Sequence, residues 1–257
     1  MNRINKLFKS GKGRLLSIYY TAGFPALNDT ARIGQALEKA GADIIEVGIP
    51  FSDPVADGPT IQKSNKIALD NGMNLALLLS QVKEMRKTVQ LPIILMGYVN
   101  PVMQYGIERF AKDAADAGVD GLILPDLPVA EYEKEYKSVF DKAGLSSTFL
   151  ISPTTAPERI ATIDKLSDGF IYAVSASSTT GAKDGFGNEQ LEYFSRLKGL
   201  KLKTPIMIGF GISNSNTFRQ ATDQAAGAIV GSAFIDLLSK STELEGDISK
   251  FVAGLRG

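Results

Sequence analysis

Residues 46–62 read EVGIPFSDPVADGPTIQ, from Glu46 to Gln62. The stretch opens inside an apolar run, Asp43 to Ile49 (DIIEVGI), whose β-branched content is that of a strand buried on both faces. Glu46 sits within that run, where a carboxylate costs several kcal/mol unless it is paired or protonated. No cationic residue lies nearby in sequence to pair with it, which points to a functional role. After Pro50 the composition turns to Pro and Gly, and Asp53 and Asp57 follow. Asp53 before Pro54 reads most simply as a turn former, and Asp57 before Gly58 also suits a turn. A helix is expected to begin near Pro59, since Pro is favoured in the first helical turn. A strand ends, carboxylates gather and a helix starts, which is where barrels of strands and helices do chemistry.

Working outward, the same alternation recurs. Strands are expected at Leu15–Thr21, Pro92–Gly97, Gly121–Leu124, Ser147–Ile151, Phe170–Ala176, Pro205–Gly209 and Ala228–Val230. Helices are expected between them, the first capped by Asn28 or Asp29 and stopped by Gly41, and another running from Asn74 to about Val89. Asn100-Pro101 reads as a loop before a helix over Ile107–Ala117. Lys39-Ala-Gly-Ala-Asp43 and Asp116-Ala-Gly-Val-Asp120 repeat one device, a glycine stop that launches a strand. Ala225-Ala-Gly-Ala228 does so without the acid. Eight strands alternating with helices, without a linker, predict one α/β domain over residues 1–257, a (β/α)8 TIM barrel. A doubly wound sheet is the rival, but no Gly-x-Gly-x-x-Gly opens the first helix. Ile4, Leu7 and Phe8 share a helical face, so an extra N-terminal helix should pack on the body.

Composition narrows the chemistry. The 257 residues carry no net charge, and no basic stripe recommends nucleic acid. No apolar run approaches the roughly 18 residues of a membrane span, and the N-terminus lacks a signal peptide's apolar core. There is no Cys, which suits the cytoplasm. There is also no His, so Ser-His-Asp and Cys-His catalysis and the usual zinc ligand sets are excluded. Acid–base work must fall to Asp, Glu, Lys or Tyr.

The last third of the chain offers a second site. Gly209-Phe210-Gly211-Ile212-Ser213 follows the seventh strand, and Val230-Gly231-Ser232-Ala233 follows the eighth. In barrels these two loops, with a helix N-terminus, commonly bind a phosphate through backbone N–H groups. The alternative is that these glycines merely make tight turns. Thr180-Gly181 after the sixth strand adds a further N–H, and Lys183 could assist. That polar loop, Ser177 to Asn188, reads as a lid over the barrel mouth.

These residues carry a resemblance. EVGIPFSDPVADGPTIQ is similar to the signature of the tryptophan synthase α subunit family. The similarity extends over the whole chain, through Thr21-Ala22-Gly23, Tyr98-Val99-Asn100-Pro101, Pro125-Asp126-Leu127-Pro128, the Ser175–Gly181 loop, Gly209–Ile212 and Val230–Ser232. The resemblance implies a (β/α)8 lyase that cleaves indole-3-glycerol phosphate to indole and glyceraldehyde 3-phosphate. It implies no cofactor in this chain, and an αββα heterotetramer with a β subunit that holds pyridoxal phosphate and receives indole through a tunnel. By position it makes Glu46 and Asp57 the catalytic acids and Tyr172 a site tyrosine. Tyr19, Tyr98 and Phe210 become pocket residues around the indole, and Thr180 the lid threonine. Gly181, Gly211, Gly231 and Ser232 become the phosphate binders. One departure stands out: the family's Gly-Val before the lid Thr-Gly is Ser178-Thr179 here.

The chemistry also fits the residues directly. A retro-aldol cleavage protonates a ring carbon and removes a hydroxyl proton, which one rigid Glu can do in turn. A second carboxylate near the ring nitrogen stabilises the developing positive charge. An indole-glycerol-phosphate synthase would need Lys, and none lies in the eight expected strands. A metal-dependent epimerase is disfavoured by the missing His. A non-catalytic binding barrel would have no reason to keep Glu46 inside a strand. Phe51 and Val55, in the loop beside the acids, are expected to meet a partner's surface.

Overall fold

The computed structural model describes residues 2–175 and 185–257. Apolar, β-branched runs become β1 (Leu15–Thr21), β2 (Ile44–Gly48), β3 (Ile93–Met96), β4 (Gly121–Ile123), β5 (Ser146–Thr148), β6 (Leu150–Ile151), β7 (Ile171–Val174), β8 (Ile206–Gly209) and β9 (Gly227–Val230). They pair in parallel in the order β5-β4-β3-β2-β1-β9-β8-β7-β6. The fifth expected strand is therefore two. Its first half pairs with β4 and its second with β7, with Phe149 between them, so the ring closes through the chain itself. The seventh and eighth expected strands are β8 and β9. The result is the expected TIM barrel.

Glycine stops explain two of the three repeats; the third is corrected, because Gly227 is the first residue of β9 and its helix has already ended at Thr222. Gly41, Gly118 and Gly144 have φ of 95°, 87° and 74°, the left-handed conformation that ends a helix cheaply only at Gly. Asn74 caps the helix Leu75–Arg86 by accepting from the Leu77 N–H. A second expectation is corrected. Asn100-Pro101 is not a loop but the first turn of a helix, Val99–Tyr105. Pro is tolerated there because a helix's first N–H groups have no partner within it.

Strand alternation builds two apolar layers. Leu16, Ile18, Ile45 and Val47 pack outward among the helices. Leu15, Ile44, Ile94, Ile123, Phe170, Met207 and Ile229 fill the barrel interior with Ile4. Ile4 comes from the N-terminal helix Arg3–Lys9, which plugs the bottom of the barrel as its apolar face implied. Phe8 on that helix meets Phe170 at 5.7 Å between ring centroids. A methyl group on Gly121 or Gly169 would come within 2.7 Å of Ile4, so both must be Gly for the plug to seat.

The two repeated acids tie the same end together. Asp43 accepts the Leu16 N–H at 2.8 Å and the Arg256 guanidinium at 2.6 Å. Asp120 accepts the Ile93 N–H at 3.0 Å and the Arg86 guanidinium at 2.8 Å. Both are buried acids with a cation. No described helix is long and apolar enough to cross a membrane.

Candidate active site

Glu46 is the exception to that pairing. It shares with Ile44 and Gly48 the face of β2 that points into the barrel, and it is fully buried. Its Oε1 accepts the Ser17 hydroxyl at 2.6 Å, while Oε2 has no hydrogen-bond partner. Among the described residues no cation acts on it, and burial pushes its carboxyl up to about 7. The fold therefore keeps this acid partly protonated near physiological pH, at a cost to stability that calls for a chemical reason.

The loop after β2 brings the second acid to the same end. Gly58 caps the helix Pro59–Asp70, with Pro59 in its first turn as expected. Asp57 just before it is half-buried, and burial raises its carboxyl to about 6 against the opposing pull of Tyr98 and Asn65. Asp53 is exposed and accepts from its neighbour Ser52, while the turn here is closed one residue later, by the Asp57 N–H donating to the Pro54 carbonyl at 3.4 Å.

Three tyrosines link the acids. Tyr19 on β1 is in register with Glu46 on β2, and its ring lies where a side chain on Gly48 would collide with it. Tyr172 on β7 covers Gly209 in the same manner and meets Phe210 edge-on at 6.1 Å. Both phenols are raised, first by burial; Asp57 acts next on Tyr19 and Glu46 next on Tyr172. Tyr98, beyond β3, is pushed up to about 12, again first by burial. All three stay neutral at physiological pH and offer ring faces and O–H groups, not bases.

The glycine loops adjoin this cluster. Gly209 is in register with Ile229, so Gly211 and Gly231 each lie two residues beyond neighbouring rungs of β8 and β9. Phe210 and Gly211 have φ of 68° and 76°, a turn held by the Ser175 hydroxyl donating to the Phe210 carbonyl at 2.7 Å. Gly231 precedes the helix Ser232–Leu238, whose first N–H groups lack partners within the helix. A methyl group on Gly231 would lie 3.6 Å from the Tyr19 ring, so Tyr19 stands between this loop and Glu46. Thr180, Gly181 and Lys183 lie outside the described residues.

Two residues of the site escaped sequence reasoning. Ser17 is two residues before Tyr19, so the period of a strand puts both on the interior face, and that signal was available. Asn65, buried and acting on Asp57, sits a turn and a half into a helix and carries no sequence signal of its own.

Two carboxyls raised by burial, beside three tyrosines at the end of a parallel barrel, mark the chain as belonging to the (β/α)8 class of enzymes. Its family follows from comparison. The tryptophan synthase alpha chain model matches residues 5–254, and the chain belongs to that family. The tryptophan synthase alpha chain of Flavobacterium johnsoniae is 55% identical over 256 residues, covering 100% of both chains. The crystal structure of tryptophan synthase subunit alpha from Legionella pneumophila is 38% identical, with a TM-score of 0.91 over 100% of this chain and 97% of that one. A chain of the tryptophan synthase complex from Pyrococcus furiosus is 34% identical, with a TM-score of 0.85 over 95% of this chain and 98% of that one.

Proposed function

We propose that this chain cleaves indole-3-glycerol phosphate by a retro-aldol reaction, releasing indole and glyceraldehyde 3-phosphate. The observation that carries this reading is Glu46, a buried carboxyl without a cation whose proton is held up to about 7. The reaction needs one group that gives a proton and takes one back. Glu46 donates to the indole ring carbon, and the ring nitrogen becomes cationic. Glu46, now ionised, removes the side-chain hydroxyl proton. The carbon–carbon bond breaks, its electron pair returns to the ring, and the aldehyde forms. Glu46 ends protonated as it began. A group near the operating pH serves both halves best.

Asp57 takes the other role. With its carboxyl at about 6 it is mostly ionised at neutral pH, where Glu46 is close to half-protonated. Two carboxyls in one site thus stand in different charge states, which sets acid apart from electrostatic stabiliser. The negative Asp57 offsets charge on the indole nitrogen. Tyr19, Tyr98, Tyr172 and Phe210 supply walls for the flat ring. Backbone N–H groups of Gly211, Gly231 and Ser232, with Gly181, hold the phosphate, and Thr180 belongs to the lid. Anchoring that remote end positions the reacting carbon.

This chemistry asks for proton transfer and charge stabilisation only, so the chain needs no cofactor of its own. The partner is a tryptophan synthase β subunit carrying pyridoxal phosphate, in an αββα assembly in the cytoplasm. Val55 is 89% exposed in the loop beside Asp57 and Met103 55% exposed on the helix after β3, while Phe51 leans on Tyr98 at 5.3 Å. An apolar rim at the mouth suits a docked subunit. Release of indole from indole-3-glycerol phosphate by the purified chain tests the reading. No release, with or without a β subunit, would overturn it.

A further inference from the structure

Strand β1 puts Leu15, Ser17 and Tyr19 on one face, and Ser17 is fully buried there. A buried hydroxyl needs a partner, and a strand offers many neutral ones. This one donates to Glu46 Oε1 at 2.6 Å, while Glu46 Oε2 is buried and unpartnered. The two oxygens of one carboxyl are therefore not equivalent. We propose that Ser17 is a positioning residue for the cleavage: its hydroxyl holds Oε1, fixes the carboxyl plane, and leaves Oε2 as the oxygen that carries and exchanges the proton. The inference rests on the acid–base role given above to Glu46.

The chemistry of a carboxyl supports the division. A neutral acid has one carbonyl oxygen, the better acceptor, and one hydroxyl oxygen. A donor fixed on Oε1 makes that atom the carbonyl and places the acidic hydrogen on Oε2. When the proton leaves, the same donor faces a charged oxygen and the hydrogen bond strengthens. Ser17 thus favours the ionised form, whereas burial opposes it, and it is the group that lowers the Glu46 carboxyl. The titratable groups coupled to Glu46 are Tyr19 on β1 and Tyr172 on β7, and Asp57 acts on the same two phenols. Neither phenol hydrogen-bonds to Glu46, so neither takes the place of the Ser17 hydroxyl. Without Ser17 the carboxyl would turn more freely and hold its proton to higher pH.

The test compares Ser17→Ala, Ser17→Thr and Glu46→Gln in the full chain by indole release across the pH range. Ser17→Ala should lower kcat about tenfold with KM little changed, and move the pH limb set by Glu46 upward by on the order of one pH unit. Ser17→Thr, which keeps a hydroxyl, should return the limb to its original place. Infrared difference spectra against Glu46→Gln give a readout independent of turnover. The Glu46 carbonyl stretch should rise in Ser17→Ala, because its donor is gone. A limb at the wild-type position in Ser17→Ala, an equal shift in Ser17→Thr, or an unmoved carbonyl stretch would overturn the assignment while leaving Glu46 in place. Turnover by Glu46→Gln would overturn both.

Discussion

The Tyr98 hydroxyl accepts the Ala56 N–H at 2.9 Å, so a side chain from beyond β3 pins the residue next to Asp57. The Tyr98 ring also lies 5.3 Å from that of Phe51, in the same loop. One tyrosine thus fixes both ends of the segment that presents the second acid. Tyr98→Phe keeps the ring contact and removes the hydroxyl. It should lower kcat about tenfold with little loss of stability, the scale of one misplaced catalytic group. Tyr98 also lowers the Asp57 carboxyl, so the pH limb set by Asp57 should move upward. A pH–rate profile identical to wild type would show that the loop is held without Tyr98.

Burial of Glu46 sets a stability signature. Its carboxyl is near 4.5 when unfolded and about 7 when folded. The folded state keeps a proton that the unfolded state has lost, so stability falls as pH rises from about 4.5 to about 7. The full effect is on the order of 3 kcal/mol. Glu46→Gln removes the penalty. The variant should match wild type near pH 4.5 in urea unfolding and exceed it increasingly up to neutrality. A constant difference across that range would mean that Glu46 does not retain its proton on folding.

The two candidate phosphate glycines should respond differently to valine. Gly231 has a negative φ, and an added methyl group would meet the Tyr19 ring at 3.6 Å, an ordinary contact, so Gly231→Val should fold. Its new side chain would crowd an anion at the helix start, raising KM for the phosphate substrate by tenfold or more, by the loss of about 1.4 kcal/mol. Gly211 has φ of 76° and Phe186 3.3 Å from an added methyl group, so Gly211→Val should also lose stability. A ligand-bound structure with the phosphate away from the ends of β7, β8 and β9 would refute the cradle.

The exposed Val55 lies two residues before Asp57, so a docked partner would order the acid directly. Purified β subunit should therefore raise the cleavage rate, and Val55→Asp should weaken that activation while leaving basal cleavage unchanged. An unchanged rate at concentrations where gel filtration shows a complex would break the coupling.

Much of this was legible in the sequence because it depends on local signals. Gly41 and Gly118 announced helix ends, and the run around Glu46 announced a buried acid. The Asn100-Pro101 helix was not legible, because Asn-Pro marks a turn as readily as a first helical turn. Nor was the break at Phe149, which reflects pairing with β4 on one side and β7 on the other, a property of the closed ring. What separates Glu46 from Asp43 is a matter of tertiary structure. Both are acids in or beside β2, but only the folded barrel brings Arg256 to Asp43 and leaves Glu46 with Ser17.

The most direct measurement is single-turnover cleavage of indole-3-glycerol phosphate by the wild type, Glu46→Gln and Asp57→Asn, with substrate binding followed separately. The wild type should release indole. Glu46→Gln should bind substrate and release none, because an amide keeps the shape and cannot exchange the proton. Asp57→Asn should retain at most about a hundredth of the rate, the scale of one lost electrostatic contact in a water-excluded site. Indole release by Glu46→Gln at more than a few per cent of the wild-type rate, an order of magnitude above what an oriented site without its acid should give, would contradict the account.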